Sequence, residues 1–88
     1  MPKDINKEKH FVYIVECRDG TFYTGYTTDV ERRLEEHNSG EGAKYTRGRY
    51  PVELRYKESF GSRSSAQKKE YKIKQLSRRE KEELIDSN

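Results

Sequence analysis

Two tyrosines, an arginine and a glutamate supply the side chains that phosphodiester chemistry requires. Tyr13 and Tyr23 stand ten residues apart, and Arg33 follows ten residues later. A phenol can exchange a proton with water, a guanidinium can hold phosphate oxygens, and the carboxylate of Glu70 suits a hard cation such as Mg²⁺. These residues predict a catalytic site if the fold brings them together.

The two tyrosines lie on runs of aromatic and β-branched residues, 11–17 and 22–26, which flank an Asp-Gly turn and predict a β-hairpin. Two registers fit this hairpin. A two-residue loop would put Tyr13 and Tyr23 on opposite faces of the sheet, whereas a three-residue loop would put both on the same face. The functional interpretation prefers the three-residue loop, but the sequence leaves the choice open.

Arg33 lies on a predicted helix that begins with a capping box at Thr28 and Glu31 and ends near Asn38. Because successive helical residues turn by about 100°, Arg33 and His37 fall beside the apolar residues of this helix. His37 can hydrogen-bond a neighbour or titrate near neutral pH. An unpaired charge beside an apolar stripe is costly to desolvate, which makes Arg33 a candidate functional residue.

Three further elements complete the predicted fold. Residues 52–59 alternate in polarity and predict a strand with one wet face, which we expect to pair with the first strand. A helix beginning at Ser64 carries Glu70 in the middle of its apolar stripe, and a capping box at Ser77 begins a last helix toward Ile85. The predicted class is therefore α/β of the α+β type, with a small three-stranded antiparallel sheet flanked by helices in the order ββαβαα.

The composition predicts one domain over residues 10–86 after a flexible N-terminal tail, residues 1–9. Charged residues make up 40% of the 88 residues, yet 19 basic and 16 acidic side chains nearly cancel to a net charge of +3. A phosphate partner must therefore meet a local basic patch. The lone Cys17 excludes an internal disulfide and a cysteine-rich zinc site. No apolar run reaches the ~20 residues of a membrane span, so we expect a cytoplasmic protein, most simply a monomer.

A basic, aromatic and glycine-rich segment, residues 40–51, is the predicted contact surface for nucleic acid. Lys44, Arg47 and Arg49 can meet phosphates, and Tyr45 can stack on an unpaired base. The segment is expected to form a loop with one short helical turn.

Two tripeptides, Phe11-Val12-Tyr13 and Tyr23-Thr24-Gly25, resemble the paired motifs that give the GIY-YIG nuclease superfamily its name. The first keeps the tyrosine and lacks the glycine, while the second keeps both. Arg33, His37 and Glu70 follow in the order that the superfamily shows. The chain as a whole is similar to the small stand-alone members of UPF0213 type, over nearly its entire length.

The resemblance implies an endonuclease that hydrolyses DNA with one divalent cation, Mg²⁺ or Mn²⁺, held by Glu70. Arg33 would clamp the phosphate, Tyr13 would take the proton of the attacking water, and Tyr23 would orient that water. The resemblance implies His37 as a further catalytic residue. A free phenol titrates near ~10. The role of Tyr13 therefore requires a lowered pKa, which Arg33 and the metal are expected to provide.

One departure from the family pattern opens an alternative. Tyr26 stands where the repair-type relatives carry a lysine, which removes a cation that could acidify a phenol. The first hypothesis is an endonuclease selective for DNA structure or strandedness rather than sequence, with DNA favoured over RNA. The alternative is a nucleic-acid-binding module with weak or no turnover, and a protein-interaction domain is the third.

Overall fold

The structure of this protein is a computed structural model that describes residues 9–87. Of the predicted flexible tail, residues 1–8 lie outside the described residues. The elements follow the predicted order ββαβαα: β1 (His10–Glu16), β2 (Phe22–Thr27), α1 (Val30–Asn38), β3 (Glu53–Phe60), α2 (Arg63–Lys74) and α3 (Arg78–Asp86), with a 3₁₀ turn (Lys44–Thr46) before β3. None of the helices within residues 9–87 is long and apolar enough to cross a membrane.

The sheet is antiparallel in the order β2-β1-β3, which confirms that the third strand pairs with the first. The hairpin has the three-residue loop, because the Cys17 amide donates to the Thr21 carbonyl at 2.8 Å and Gly20 has a left-handed φ of +88°. Tyr13 pairs with Gly25 across the two strands. In this register Tyr13 and Tyr23 share one face of the sheet, as the functional interpretation required.

Two of the three predicted helix caps are wrong by one or two residues. The cap of α1 is Asp29 rather than Thr28, and the cap of α2 is Ser62 rather than Ser64. Each true cap has an extended backbone, and its side-chain oxygen accepts the amide three residues on at 3.1 Å, which is the geometry that satisfies a free helix N–H. The capping box at Ser77 is confirmed.

Exposure along β3 alternates as its polarity predicts, but its less exposed side chains do not all lie on one face of the sheet. The pairing with β1 shifts between Ile14 and Val15, so that Ile14 faces Tyr56 and Val15 faces Leu54, and Arg55 is the extra residue of a bulge. Leu54 therefore packs on one face of the sheet and Tyr56 on the other.

The sheet is consequently covered on both faces. One core contains Val12, Ile14, Tyr56, Ala66 and Ile73, with side chains of α3 packed against it. The other core contains Tyr13, Val15, Cys17 and Val52, with Tyr23, Leu34 and Leu54 packed against it. Helix α1 thus lies on the face that carries the two tyrosines, and α2 and α3 lie on the opposite face.

Candidate active site

A hydrogen-bonded chain of three buried side chains, from Tyr13 through His37 to Thr46, forms the centre of the candidate site. The Tyr13 hydroxyl lies 2.9 Å from Nε2 of His37, and Nδ1 of His37 lies 2.7 Å from Oγ1 of Thr46. Tyr13 is 1% exposed, and His37 and Thr46 are fully buried. Strand β1, helix α1 and the 3₁₀ turn each supply one member, so the chain ties three elements together.

The proton positions in this chain follow from Thr46. Its hydroxyl donates to the carbonyl oxygen of Ala43 at 2.9 Å, which commits its one proton. Oγ1 therefore accepts from His37, and the proton of the neutral imidazole lies on Nδ1. Nε2 carries no proton and accepts the hydrogen bond of the Tyr13 hydroxyl. His37 is thereby oriented as a proton acceptor for the phenol.

His37 remains neutral well into the acid range. Burial is the largest cause that lowers the pKa of His37 from 6.5 to about 4; the positive charge of Arg33 acts in the same direction, and Glu36 opposes both. The unprotonated Nε2 is therefore available to Tyr13 throughout the physiological pH range.

The surroundings of Tyr13 hold its proton more tightly than water does. Burial raises the pKa of Tyr13 from 10.0 to about 12; Arg33 lowers it, and the charges of Tyr23 and Glu70 raise it. Arg33 acts in the direction expected from the sequence, but desolvation outweighs it. The protein groups by themselves therefore do not acidify this phenol, and a neighbouring proton acceptor becomes the feature that matters.

Two glycines make the room that the hydrogen-bonded chain occupies. A Cβ atom at Gly25, opposite Tyr13 on β2, would come within 2.5 Å of the Tyr13 hydroxyl oxygen. A Cβ atom at Gly42 would overlap both the ring and the Cα of His37. Any side chain at either glycine would displace a member of the chain.

Tyr23 flanks the chain and begins an aromatic stack that leads to the surface. Its ring centroid lies 6.4 Å from that of Tyr13 and 5.5 Å from that of His37. On the outer side, the exposed Tyr45 stacks on Tyr23 at 5.8 Å, and the Arg49 guanidinium lies 4.3 Å from the centre of the Tyr45 ring. The loop over residues 40–51 is thereby fastened to the site.

Arg33 borders both the phenol and the imidazole. Its charge lowers the pKa of Tyr13 and of His37, so the guanidinium lies within electrostatic reach of both. The side chain is 28% exposed, and Nη1 donates to Oε1 of Glu36 at 2.8 Å. A phosphate that binds here would compete with one carboxylate for a partly desolvated cation.

Glu70 reaches the site from the opposite layer. Helix α2 packs through Ala66 and Ile73 on the face of the sheet that Tyr13 does not share. The Glu70 side chain is 19% exposed, and its carboxylate pairs with Lys74 at 3.0 Å. Its negative charge nevertheless contributes to the raised pKa of Tyr13. Four of the five predicted catalytic side chains therefore lie together, and Glu70 is linked to them through the effect of its charge on the pKa of Tyr13.

The donor set fits a hard cation with few protein ligands. Within residues 9–87, no group of three or more His, Cys, Asp and Glu side chains could hold a metal ion. A single half-buried carboxylate such as Glu70 suits Mg²⁺ or Mn²⁺, which keep several waters and take other ligands from phosphate oxygens. Binding there requires that Lys74 release the carboxylate.

A family model described as the GIY-YIG catalytic domain matches residues 9–83. The chain belongs to the GIY-YIG family. Within it the chain is a small member of UPF0213 type: a UPF0213 protein of Halobacterium salinarum is 68% identical over 76 residues, which cover 86% of this chain and 99% of the relative. The family is one of nucleases, and the two motif tyrosines are the ones that meet at His37.

Solved structures support the same fold. The solution NMR structure of a UPF0213 protein from Bacillus halodurans has a TM-score of 0.61 at 55% identity and covers 91% of this chain and 85% of that one. The solution NMR structure of a protein from E. faecalis has a TM-score of 0.64 at 51% identity and covers 93% and 88%.

The four predicted nucleic-acid contacts of this GIY-YIG chain do not have equal freedom. Arg49 donates to Asp19 at 3.0 Å and to the Tyr45 carbonyl at 2.7 Å, so its guanidinium holds the loop against the hairpin turn. Lys44 and Arg47 are exposed, and neither forms an ion pair with another described residue. Lys44 and Arg47 remain available contacts, whereas the Tyr45 ring already packs against Tyr23 and the Arg49 guanidinium.

Sequence reasoning missed Thr46 and the steric roles of Gly25 and Gly42. Thr46 lies inside the basic loop, where its neighbours Tyr45 and Arg47 drew attention as surface residues. A threonine between a tyrosine and an arginine carries no sign that it is fully buried. The signal that could have found it is the unpaired Nδ1 of His37, which needs a partner once the helix face is buried.

Proposed function

We propose that this protein is a divalent-metal-dependent endonuclease that hydrolyses DNA phosphodiester bonds. The observation that carries the proposal is the buried chain from Tyr13 through His37 to Thr46, bordered by Arg33. A phenol aligned with an unprotonated imidazole next to a partly desolvated guanidinium has little structural purpose, because apolar residues would fill the same space at lower cost.

In the proposed reaction, Tyr13 receives the proton of the attacking water while its own proton passes to Nε2 of His37. The phenol, whose pKa is about 12, is therefore not ionised in the free protein, and His37 is the final acceptor of the proton. The resulting imidazolium keeps its Nδ1 proton, which it donates in a hydrogen bond to Oγ1 of Thr46. A bound phosphate would neutralise Arg33, whose charge lowers the pKa of His37, and would thus make the imidazole a better acceptor when substrate is present.

Arg33 is proposed to hold the non-bridging oxygens as negative charge grows on the phosphoryl group. Glu70 would hold Mg²⁺ or Mn²⁺, and the bound cation would supply charge stabilisation at the leaving 3′ oxygen. Tyr23 lies beside the phenol and the imidazole and would orient the attacking water.

The proposed substrate is recognised by strandedness or branching rather than by base sequence. Tyr45 would stack on an unpaired base in place of the Arg49 guanidinium that lies over its ring, and Lys44 and Arg47 offer charges to the backbone. Stacking and phosphate contacts are tolerant of sequence. DNA is favoured over RNA because the resemblance to the GIY-YIG nucleases implies hydrolysis of DNA.

The test is cleavage of branched, single-stranded and duplex DNA in Mg²⁺ or Mn²⁺ by the wild type, Glu70→Gln and Tyr13→Phe. We expect cleavage by the wild type that both substitutions and EDTA abolish. Cleavage that persists in both variants would come from a contaminant and would discard the proposal.

A second function, nucleic-acid binding with little turnover, is favoured by two particular observations. Glu70 is already paired with Lys74, and Tyr26 replaces a cation of the repair-type relatives and bonds to His10 at 2.7 Å on the other face of the sheet. In that case the wild type and Glu70→Gln would bind DNA alike, with steep salt dependence, and neither would form product.

A further inference from the structure

Helix α2 carries a concentration of positive charge that the rest of the chain does not share. Its twelve residues contain five basic side chains and one acidic side chain, whereas the whole chain has a net charge of only +3. Apart from the loop over residues 40–51, the basic excess of the protein therefore lies on this one helix.

The basic side chains on the outer face of α2 have no acidic partners among the described residues. Lys69 pairs with Glu58 at 3.9 Å and Lys74 with Glu70 at 3.0 Å, which uses the acidic groups beside the helix. The remaining three, Arg63, Lys68 and Lys72, form no ion pair within residues 9–87.

The other two helices show what an ordinary solvated surface looks like in this protein. In α3, Arg78 pairs with Glu82 at 3.1 Å and Arg79 with Glu83 at 3.8 Å. In α1, Arg33 forms an ion pair with Glu36. These charges are balanced one helical turn apart. Helix α2 departs from that pattern only on its outer face.

The unpaired cations line a shallow groove of about 740 Å³ together with groups that can hydrogen-bond a phosphate. All of its lining residues are exposed, and none is acidic: Arg63, Ser64, Gln67, Lys68, Tyr71 and Lys72. Lys68 and Lys72 stand one helical turn apart, about 6 Å along the helix axis. Tyr71, at 67% exposure, is the most exposed of the large hydrophobic side chains among the described residues.

The groove is connected to the edge of the sheet that borders the candidate site. The Arg63 guanidinium lies 5.5 Å from the centre of the Tyr26 ring on the edge strand β2. Glu70 follows Arg63 by seven residues and so lies on the same flank of α2. A polyanion lying in the groove would thus run along the flank from which Glu70 acts on Tyr13.

We propose that the outer face of α2 binds the phosphate backbone of duplex DNA that flanks the cleavage point. Positive charge without acidic neighbours, hydrogen-bond donors between the cations and an open shape match a backbone that is read without base contacts. This inference rests on the proposed function, because it supplies that reaction with a second point of attachment. It assigns affinity to the groove and leaves the chemical step to Tyr13 and Glu70.

The test compares Lys68→Gln/Lys72→Gln with a control of equal charge change, Arg79→Gln/Lys81→Gln on α3. Binding of a fluorescent 24-base-pair duplex is measured in EDTA between 50 and 200 mM salt. We expect the affinity of the α2 variant at 0.1 M salt to be lower by about tenfold or more. We also expect the slope of log K against log salt to be less steep by about 1.8. The control should stay close to the wild type, and Lys68→Arg/Lys72→Arg should bind like it.

Equal losses in the α2 variant and the control would assign the effect to bulk charge and overturn the inference. Polyglutamate binding with the same dependence on Lys68 and Lys72 would assign the groove to acidic protein segments and would also overturn it. Absence of duplex binding by the wild type would likewise overturn the inference. The binding assay contains no metal, so its result is independent of the cleavage test in Mg²⁺ or Mn²⁺. Duplex binding that depends on Lys68 and Lys72 without cleavage in either metal refutes the proposed function alone. Cleavage in metal with no effect of the α2 variant on binding refutes this inference alone.

Discussion

At the scale of single residues, the properties of the site come from what surrounds Tyr13 and His37. Burial moves the pKa of Tyr13 up to about 12 and that of His37 down to about 4, so both groups are held neutral. A neutral donor next to a neutral acceptor is stable in a buried setting, and in the proposed reaction the proton would move when a phosphate binds at Arg33.

The lowered pKa of His37 predicts a loss of stability in acid. Between pH 6.5 and about 4 the unfolded chain binds a proton at this histidine and the folded chain does not, so the free energy of unfolding rises with pH across that window. Acidification from pH 7.5 to 5 should lower the free energy of unfolding by about 2 kcal/mol because of His37 alone.

Urea unfolding of the wild type and of His37→Gln at both pH values measures this contribution, since the variant keeps the carboxylates that also titrate. The wild type should lose more stability than the variant. Equal losses would mean that His37 is not buried in its neutral form.

At the scale of elements, the hairpin depends on Gly25 to leave space for the phenol. A Cβ atom at this position would come within 2.5 Å of the Tyr13 oxygen. Gly25→Ala should therefore lower the free energy of unfolding by about 1–3 kcal/mol and slow cleavage by moving Tyr13 away from His37. Gly61→Ala is the matched control, because a Cβ atom there meets nothing within 4 Å. Thermal melts and cleavage rates of the two variants should differ, and identical behaviour would contradict this role.

The 3₁₀ turn contributes through the Thr46 hydroxyl. Thr46→Val should leave the Nδ1 proton of His37 without its acceptor, at a cost of about 1–3 kcal/mol in stability, and should slow cleavage because the imidazole loses its orientation. Thr46→Ser restores the hydroxyl and should restore the rate. A purely steric role would reverse this order, since valine matches the shape of threonine more closely than serine does.

The sequence predicted the elements well and their contacts less well. The order of strands and helices follows from polarity patterns and turn residues, whereas the sequence left the hairpin register open and only the functional interpretation preferred the one observed. The bulge at Arg55, the buried Thr46 and the caps at Asp29 and Ser62 depend on which side chain reaches a partner in three dimensions. Local pattern does not contain that information.

At the scale of the whole molecule, the candidate site joins both layers of the fold. Arg33 and His37 belong to the helix on one face of the sheet and Glu70 to a helix on the other. The carboxylate adds negative charge where a phosphate would bind in the proposed reaction, so its effect on DNA binding should change sign when the metal is present.

Glu70→Gln should bind DNA several-fold more tightly than the wild type in EDTA, because a repulsive charge is removed. In Ca²⁺, used as a non-cleaving divalent probe, the wild type should gain affinity and the variant should not. Anisotropy titrations in the two buffers measure both effects. A Ca²⁺ effect of equal size in the two proteins would show that Glu70 does not hold the cation.

The most direct test of the central claim is the single-turnover cleavage rate of Tyr13→Phe at saturating DNA, compared with that of Tyr56→Phe. Both substitutions remove one hydroxyl from a buried tyrosine, and Tyr56 lies on the opposite face of the sheet. The account predicts a rate lower by about 10²–10⁴-fold for Tyr13→Phe, with unchanged DNA affinity and with Tyr56→Phe close to the wild type. A Tyr13→Phe protein that cleaves as fast as Tyr56→Phe would contradict it.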